Sequence, residues 1–196
     1  MKRTKNMENI EKILRFIEEA EGLKSVTRYA WTKDGRREST AEHSWRMTLF
    51  TALAAAEDPS IDWKKAVLMS LIHDMGELYD GDISAATKPD ESVKYTQELR
   101  AIENLASLLP ADQGMMFRNL WMEYTDGSTK EARLVKALDK AETILQHSQG
   151  QNPADFDYAF NLKYGKEYFD SGSGLTRLRE LLDEKTQNRS AEFSKE

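Results

Sequence analysis

Two of the three histidines in this chain lie beside carboxylates at positions where the sequence is otherwise apolar. His43 lies near the start of a predicted helix, and His73 is followed at once by Asp74 after the apolar pair Leu71 and Ile72. A buried carboxylate is costly unless an opposite charge compensates it. A divalent cation is the simplest compensation, because imidazole nitrogens and carboxylate oxygens are ordinary ligands of Mn, Fe, Co, Ni and Zn.

Each of these residues also has a plain structural interpretation. His43 alone is compatible with a helix-start residue, and His73–Asp74 with a surface pair, since this two-residue motif is common by chance. Two further carboxylates favour a metal site. Glu77 follows Asp74 by three positions on the predicted helix, and Asp139 interrupts the apolar pattern of another helix. The order His, His-Asp, Asp on three predicted helices therefore indicates one metal centre.

Helical periodicity supplies the elements that would position these residues. Ile10, Ile13, Leu14 and Ile17 follow the spacing of one buried helix face. Residues 24–38 carry many charges and no sustained period, which predicts a loop.

Helix boundaries follow from capping signatures. Ser39 and Glu42 form a capping box, which predicts a helix to about Glu57. Asp62 is the predicted cap of the next helix, which is expected to run to about Tyr79.

The rest of the chain is also predicted to be helical. The expected elements are a long helix from about Pro89 to Leu109, a helix containing Met115–Tyr124, a helix opened by a second capping box at Ser128 and Glu131, an ordered loop with a short helix over 150–165, and a last helix over 175–182. No strand or internal repeat is expected. The pattern predicts an all-α, bundle-like domain of six or more helices over residues 1–186, followed by a polar, frayed tail over 187–196.

Composition narrows the function. With a formal net charge of −6 and no basic block, the chain is a poor candidate for nucleic-acid binding. The absence of cysteine excludes disulfides, thiolate metal sites and a cysteine nucleophile. The N-terminal residues lack the apolar stretch of a signal peptide, and the most apolar run, 66–72, is much shorter than the roughly 20 residues of a membrane span. A cytoplasmic protein without a membrane partner is predicted.

Five short sequence segments identify the chain as similar to a known family. The segments are residues 23–28 with Trp31, residues 38–44, residues 73–77, residues 81–83 and residues 138–140. Together they resemble the HD-domain metal-dependent phosphohydrolases, and within them the 5′-deoxynucleotidase branch, which includes the bacterial 5′-deoxyribonucleotidases and the eukaryotic HD-domain-containing 2 type proteins. The resemblance covers about residues 10–148 and implies an HD-domain helical bundle.

The resemblance also implies roles for individual residues. The implied metal ligands are His43, His73, Asp74 and Asp139; the implied catalytic residues are Glu77, Asp74 and Arg28; the implied substrate contacts are Arg28, Trp31, Asp82, Ile83 and Ser84. A second, weaker divalent ion such as Mg²⁺ is implied near Glu77 and Asp82, and a homodimer is expected. Tyr29 follows Arg28 directly, which leaves open whether Tyr29 or Trp31 contacts the nucleoside.

The predicted reaction is metal-dependent hydrolysis of 2′-deoxynucleoside 5′-monophosphates to nucleoside and phosphate. One alternative is an HD hydrolase for another phosphate ester, such as a cyclic nucleotide or a nucleoside triphosphate. The other is a non-catalytic, nucleotide-binding helical module, which the complete ligand set disfavours.

The remaining candidates have plainer interpretations. His147 is predicted to be a helix-end residue on a polar side. Glu142, three residues after Asp139, could support a metal ligand from behind, but it is interpreted first as a solvated charge. Trp63 and Trp121 are expected in the core or an interface.

Overall fold

The computed structural model describes residues 2–87, 89–170 and 172–193. Within these ranges the chain forms eight α-helices, which confirms the predicted all-α fold of six or more helices. Their bounds are α1 Lys2–Ala20, α2 Thr40–Ala56, α3 Trp63–Ile72, α4 Glu91–Leu108, α5 Ala111–Asp126, α6 Lys130–Gln149, α7 Tyr158–Asn161 and α8 Ser173–Phe193. Short 3₁₀ helices cover Glu21–Lys24, Met75–Glu77, Ala85–Thr87 and Lys166–Tyr168.

The core is built around α6, which packs against α2, α3, α5 and α8. Val135, Leu138, Ala141 and Ile144 of this helix are completely buried. Burial of each of the larger three side chains stabilises the fold by about 1.5–3 kcal/mol. Asp139 lies within this buried stretch, so the helix that forms the core also carries a candidate metal ligand into it.

A small antiparallel hairpin corrects the prediction that residues 24–38 form a loop. Strand β1, Thr27–Trp31, pairs with β2, Arg37–Ser39, with Thr27 opposite Ser39. Burial alternates along β1, but one of its buried positions holds Arg28. The alternation of apolar and polar residues that marks a strand was therefore masked by a buried cation.

The cap of α6 differs from the predicted one. Thr129, not Ser128, is the N-cap, and its hydroxyl accepts a hydrogen bond from the backbone N–H of Ala132 at 3.2 Å. Glu131 instead accepts from the backbone N–H of Asp62 at 3.0 Å. The capping box predicted at Ser39 and Asp62's cap of α3 are both confirmed.

Helix α3 ends at Ile72, seven positions before the predicted end near Tyr79. His73 is the C-cap, and the chain then tightens into the 3₁₀ turn Met75–Glu77. At Gly76 an added Cβ would lie 2.7 Å from the Cβ of Glu98 in α4, so a side chain here would force the two segments apart. Because the chain tightens here, the side chains of His73, Asp74 and Glu77 do not have the relative directions that a continuous α-helix would give them.

The buried face of α1 was wrongly predicted. Ile10, Leu14 and Ile17 are 61%, 56% and 58% exposed. The inward side is carried instead by residues such as Phe16, whose ring lies edge-on to that of Phe117 at 5.3 Å. Periodicity identified the helix and its apolar stripe, but an apolar stripe does not by itself show which side meets the core.

The last helix is longer than the sequence suggested. It continues to Phe193, past Gln187 where the polar tail was predicted to begin, while residues 194–196 lie outside the described ranges. None of the helices in the described ranges combines the length with the apolar character that a membrane crossing requires.

Candidate metal centre and active site

Four side chains from α2, α6 and the end of α3 converge at the middle of the fold. The Nε2 atoms of His43 and His73 lie 3.3 Å apart. Asp139 Oδ1 lies 3.3 Å from His43 Nε2 and 3.9 Å from His73 Nε2. Asp74 Oδ2 lies 3.1 Å from His73 Nε2 and 3.5 Å from His43 Nε2. The structure thus brings together all four residues that the sequence indicated as metal ligands.

The hydrogen bonds of the Nδ1 atoms of His43 and His73 determine which ring nitrogen carries the proton. His73 Nδ1 donates to the backbone carbonyl of Ser70 at 2.8 Å, and a carbonyl can only accept. His43 Nδ1 donates to the carboxylate of Glu142. In the neutral rings both Nε2 atoms therefore present lone pairs to each other. Two lone pairs beside two carboxylates cannot bond among themselves, so this donor set fits a divalent cation.

The pKa values of His43 and Asp139 also support a cation site. Burial and Arg28 lower the pKa of His43, but the carboxylates of Glu142 and Asp139 outweigh both and raise this pKa to about 10. Burial raises the pKa of Asp139, yet Lys140 and the histidines hold it well below its usual range. A centre that attracts a proton so strongly also attracts a metal ion, which replaces that proton when it binds.

The second oxygen of Asp139 is held from outside the centre. Oδ2 accepts hydrogen bonds from Tyr124 Oη at 3.0 Å and from Lys140 Nζ at 2.9 Å. These two donors leave Oδ1 facing the histidines. The carboxylate is therefore positioned to offer one oxygen to a cation.

Glu77 is a buried acid beside this centre. It is 4% exposed, and Oε2 accepts from Thr40 Oγ1 at 3.1 Å. Burial raises its pKa well above the usual value, with the charges of Asp74 and Asp82 adding to the effect. A carboxyl group in this state can carry the proton that general acid catalysis requires.

Arg28 reaches the centre from β1, where it is 8% exposed. Its Nη1 donates to Asp74 Oδ2 at 2.9 Å, and Nη2 donates to Thr143 Oγ1 at 3.0 Å. Burial lowers the pKa of Arg28, but Asp74, Asp82 and Glu77 raise it well above its ordinary value. The guanidinium is therefore permanently charged and partly free to bind an oxyanion.

A cavity of about 600 Å³ opens onto these groups. Its lining includes most of the predicted site: Arg28, His73, Asp74, Glu77, Asp82, Ile83, Ser84 and Asp139. A cavity of this size is within the range of small-molecule sites, about 300–1,000 Å³. Cations, carboxylates and a candidate metal centre on one wall suit a small phosphorylated substrate.

A family model described as HD domain matches residues 20–179 of the chain. The chain belongs to the HD domain family. Its His73–Asp74 pair and the separate His43 and Asp139 are the residues that converge in the structure.

Relatives and solved structures agree with this assignment. The human protein named 5′-deoxynucleotidase HDDC2 is 31% identical over 174 residues, covering 87% of this chain and 81% of the human protein. The Dictyostelium discoideum protein of the same name is 32% identical over 170 residues, covering 82% and 88%. The crystal structure described as a predicted metal-dependent phosphohydrolase from Magnetospirillum magnetotacticum MS-1 matches with a TM-score of 0.78 and 27% identity, covering 93% of this chain and 97% of that one.

Of the two aromatic residues that follow Arg28 in this HD-domain chain, Tyr29 lines the cavity, whereas Trp31 is not among the described residues that line it. Trp31 lies edge-on to Tyr29, with ring centroids 4.9 Å apart, and the Arg37 guanidinium lies over the Trp31 ring at 5.1 Å. Of the two, Tyr29 is therefore the residue placed on the cavity, and a direct substrate contact of Trp31 stays a prediction.

The prediction for His147 was wrong in its surroundings. It lies within α6 with 4% exposure rather than on a polar side. Its ring contacts the side-chain amide of Asn161 at 2.8 Å and the backbone carbonyl of Tyr29 at 3.2 Å. His147 therefore ties β1 to α7, and it also lines the cavity. Trp121 is buried as expected, whereas Trp63 is 53% exposed.

Glu142 is the residue whose role the sequence analysis ranked too low. It was interpreted as a solvated charge, but it is 1% exposed and accepts from His43 Nδ1 and from Arg46 Nε, the latter at 2.6 Å. Its place three residues after Asp139, between Ala141 and Thr143 and close to the apolar Ile144, was the available signal. A carboxylate behind a ligating histidine fixes the tautomer and raises the basicity of the ring.

Glu142→Gln is expected to weaken divalent metal binding by about 10–100-fold, the usual cost of losing such an outer partner. The amide keeps the shape but removes the charge that faces His43 Nδ1. Competition against a fluorescent chelator measures the affinity, with Glu184→Gln on the exposed face of α8 as the matched control. Unchanged affinity in a folded Glu142→Gln protein would rule out this role.

Proposed function

We propose that this protein is a metal-dependent 5′-deoxynucleotidase, which hydrolyses 2′-deoxynucleoside 5′-monophosphates to nucleoside and phosphate. The observation that carries the proposal is the convergence of two histidines and two aspartates. His73, Asp74 and Asp139 of this set line a cavity that Arg28 and Glu77 also line. Relatives named 5′-deoxynucleotidase, aligned over most of their length and of this chain, support the same reaction.

The proposed ligands of one divalent transition metal are His43, His73, Asp74 and Asp139, and Mn, Co, Fe, Ni and Zn are all compatible with this donor set. When bound, such an ion supplies a Lewis acid for the phosphate and lowers the pKa of water. A second, weaker ion such as Mg²⁺ is proposed at Glu77 and Asp82, both of which line the cavity. Burial is the main cause of the raised pKa of Glu77, and the charges of Asp74 and Asp82 add to it. A cation would relieve the repulsion among these carboxylates.

The chain's own groups have separate proposed tasks. Arg28 binds and orients the phosphate oxygens through its planar fork of donors. Glu77 transfers a proton to the leaving 5′-oxygen or accepts one from the attacking water. Asp74 positions Arg28 beside the metal centre, since Asp74 Oδ2 contacts Arg28 as well as the two histidines. None of these steps needs a covalent intermediate with the protein.

Sugar recognition is proposed for Asp82, with Ile83 and Ser84 beside it on the cavity wall. The Asp82 carboxylate can accept a hydrogen bond from the 3′-hydroxyl while the 5′-phosphate reaches Arg28. A 3′-phosphate would instead bring negative charge against this carboxylate in a partly desolvated site, which is repulsive.

We expect kcat/KM for dAMP to exceed that for AMP by about 10²-fold, because steric rejection of a single hydroxyl is modest. Hydrolysis of dTMP should be comparable to that of dAMP, and 3′-dAMP should be a poor substrate. The measurement is phosphate release with each nucleotide, and with mono-, di- and triphosphates, in the presence of Mn, Co, Mg or Zn.

The matched pair for this test is Asp82→Ala and Asp80→Ala, since Asp80 is exposed and lies outside the cavity. Discrimination between the 5′- and 3′-monophosphates should fall only in Asp82→Ala. Equal rates of wild type on AMP and dAMP would refute the sugar assignment, and faster release from a triphosphate or cyclic nucleotide would refute the substrate class.

A cytoplasmic location and a homodimer are further proposals. Exposed apolar side chains on α1 and α2, namely Ile10, Leu14, Ile17, Trp45 and Leu49, offer surface that a second copy of the chain can cover. Sedimentation of the purified protein measures the oligomeric state.

A further inference from the structure

The segment between α6 and α8, which carries no recognisable motif, forms one wall of the active-site cavity. Phe160, Tyr164, Gly165, Glu167 and Tyr168 all line it. This wall lies on the side of Tyr29, because His147 contacts both the Tyr29 carbonyl and Asn161 of α7.

Two aromatic rings of the wall form a stacked pair. Phe160 and Tyr164 have ring centroids 4.8 Å apart and an interplanar angle of 28°. Both side chains are half-buried and both line the cavity, so the pair is only partly covered by protein. Tyr29 also lines the cavity, and its ring stacks on that of Phe156 with a centroid distance of 6.1 Å and an interplanar angle of 15°. This end of the cavity is rich in aromatic rings, although Glu167 also lines it and Lys140 Nζ lies over the Tyr164 ring at 5.1 Å.

Another part of the lining is charged. It contains Asp82, Glu91, Lys94 and Glu98, and Lys94 Nζ lies 3.5 Å from Glu98 Oε1. A purine or pyrimidine ring is flat and gains little from such an ion pair. Tyr95 and Trp121 also line that side, but they stack on each other at 5.9 Å and Trp121 is only 1% exposed. The ring gains from stacking on an aromatic face, and stacking tolerates any base because every base has a π-face.

The pair is held in place by Arg179 of α8. This side chain is 6% exposed, and its Nη1 donates to the Tyr164 carbonyl at 2.6 Å while Nη2 donates to the Asn161 carbonyl at 2.7 Å. Its Nε donates to Asp183 at 2.9 Å. One rigid guanidinium thus fixes both ends of the turn that carries the two rings.

We propose that Phe160 and Tyr164 form the stacking surface for the base of the bound nucleotide, and that Arg179 is the positioning residue that keeps this surface in place. The inference rests on the proposed function and deepens it, because it assigns the base to a wall that relies on aromatic faces rather than on hydrogen bonds to base edges. Weak discrimination among bases follows directly.

The test compares dAMP with 1,2-dideoxyribose 5-phosphate, which has hydrogen in place of the base. In Phe160→Leu and Tyr164→Leu the Kd and KM for dAMP should rise by about 5- to 100-fold, the range of one base–aromatic stack. Values for the abasic phosphate should stay within about twofold. Tyr164→Phe should retain more affinity for dAMP than Tyr164→Leu, and Trp63→Leu on the surface is the control.

Arg179→Lys should raise the KM for dAMP by about tenfold with little change in kcat, because one ammonium cannot replace two fixed carbonyl contacts. Arg177→Lys is the matched control, since Arg177 is exposed on the same helix and pairs with Glu180 at 2.8 Å. Melting temperatures of all variants show whether the fold is retained.

The outcomes separate this inference from the proposed function. Turnover by wild type tests the function alone. If wild type hydrolysed neither compound, calorimetric Kd values for dAMP and the abasic phosphate on the metal-loaded protein would still decide the stacking surface. Equal losses for both compounds, or no loss for dAMP, in folded variants would overturn the assignment.

Discussion

Glu77→Gln is expected to lose about 10²–10⁴-fold in turnover while it keeps its bound metal, the usual value of one positioned proton-transfer group. Glu77 is buried beside Asp74, and burial raises its pKa well above the ordinary range. The amide preserves the size of the side chain and can still bond Thr40 Oγ1, which Glu77 now accepts from at 3.1 Å. It cannot exchange a proton with the substrate or water.

Elemental analysis and steady-state kinetics on the same preparation decide the point. Glu77→Ala should behave in the same way, with an added loss of stability because the Thr40 hydroxyl is left without its buried partner. Glu18→Gln, at an exposed position on α1, is the control. If the transition metal of the four-residue centre were lost together with activity, Glu77 would be a ligand of that metal rather than a proton-transfer group.

Asp139→Asn is expected to abolish metal retention and to lower turnover by about 10³-fold or more, since a Lewis acid is worth several kcal/mol and each 1.36 kcal/mol is about tenfold. Asp139 supplies the carboxylate oxygen nearest to His43 Nε2, at 3.3 Å, compared with 3.5 Å for Asp74. In the variant Lys140 also loses the carboxylate that Nζ contacts at 2.9 Å, which leaves an uncompensated ammonium beside the centre and repels a cation further.

The thermal readout of this prediction needs no substrate. A ligand at about 100 times its Kd stabilises the folded state by about 2.7 kcal/mol, which corresponds to about 5–10 °C in Tm for a chain of this size. Wild type should show such a shift with added Mn, Co or Zn, and Asp139→Asn should not. A normal shift in the variant would remove Asp139 from the ligand set. Asp155→Asn in the loop before α7 is the control, because Asp155 is exposed.

Local chemistry made several elements predictable. The capping box at Ser39 and the Asp62 cap were read correctly, because the side chain and the amide that it accepts from are only two or three residues apart. Thr129 was missed in favour of Ser128 because Glu131, the expected partner, bonds to Asp62 and Lys65 across the fold. The hairpin of β1 and β2 was missed because Arg28 occupies a buried strand position.

The burial of charged groups was the hardest feature to predict. Glu142 looked like a solvated charge, and only the approach of α2 to α6 reveals that it lies 1% exposed against His43 and Arg46. The stripe of Ile10, Leu14 and Ile17 looked like a buried face and is exposed. In both cases the sequence contained the residues but not the neighbouring element that decides their environment.

The sequence by itself determined the helical class, most helix starts and the identity of the four converging residues, because periodicity, capping and metal-ligand chemistry are properties of residue types and short spacings. Tertiary structure decided the rest. The end of α3 at Ile72 depends on how closely Gly76 packs against α4. The tautomers of His43 and His73 depend on partners at Glu142 and Ser70. The wall of Phe160 and Tyr164 depends on Arg179 of a separate helix. These features arise from contacts between segments far apart in the chain, and such contacts leave no local pattern to read.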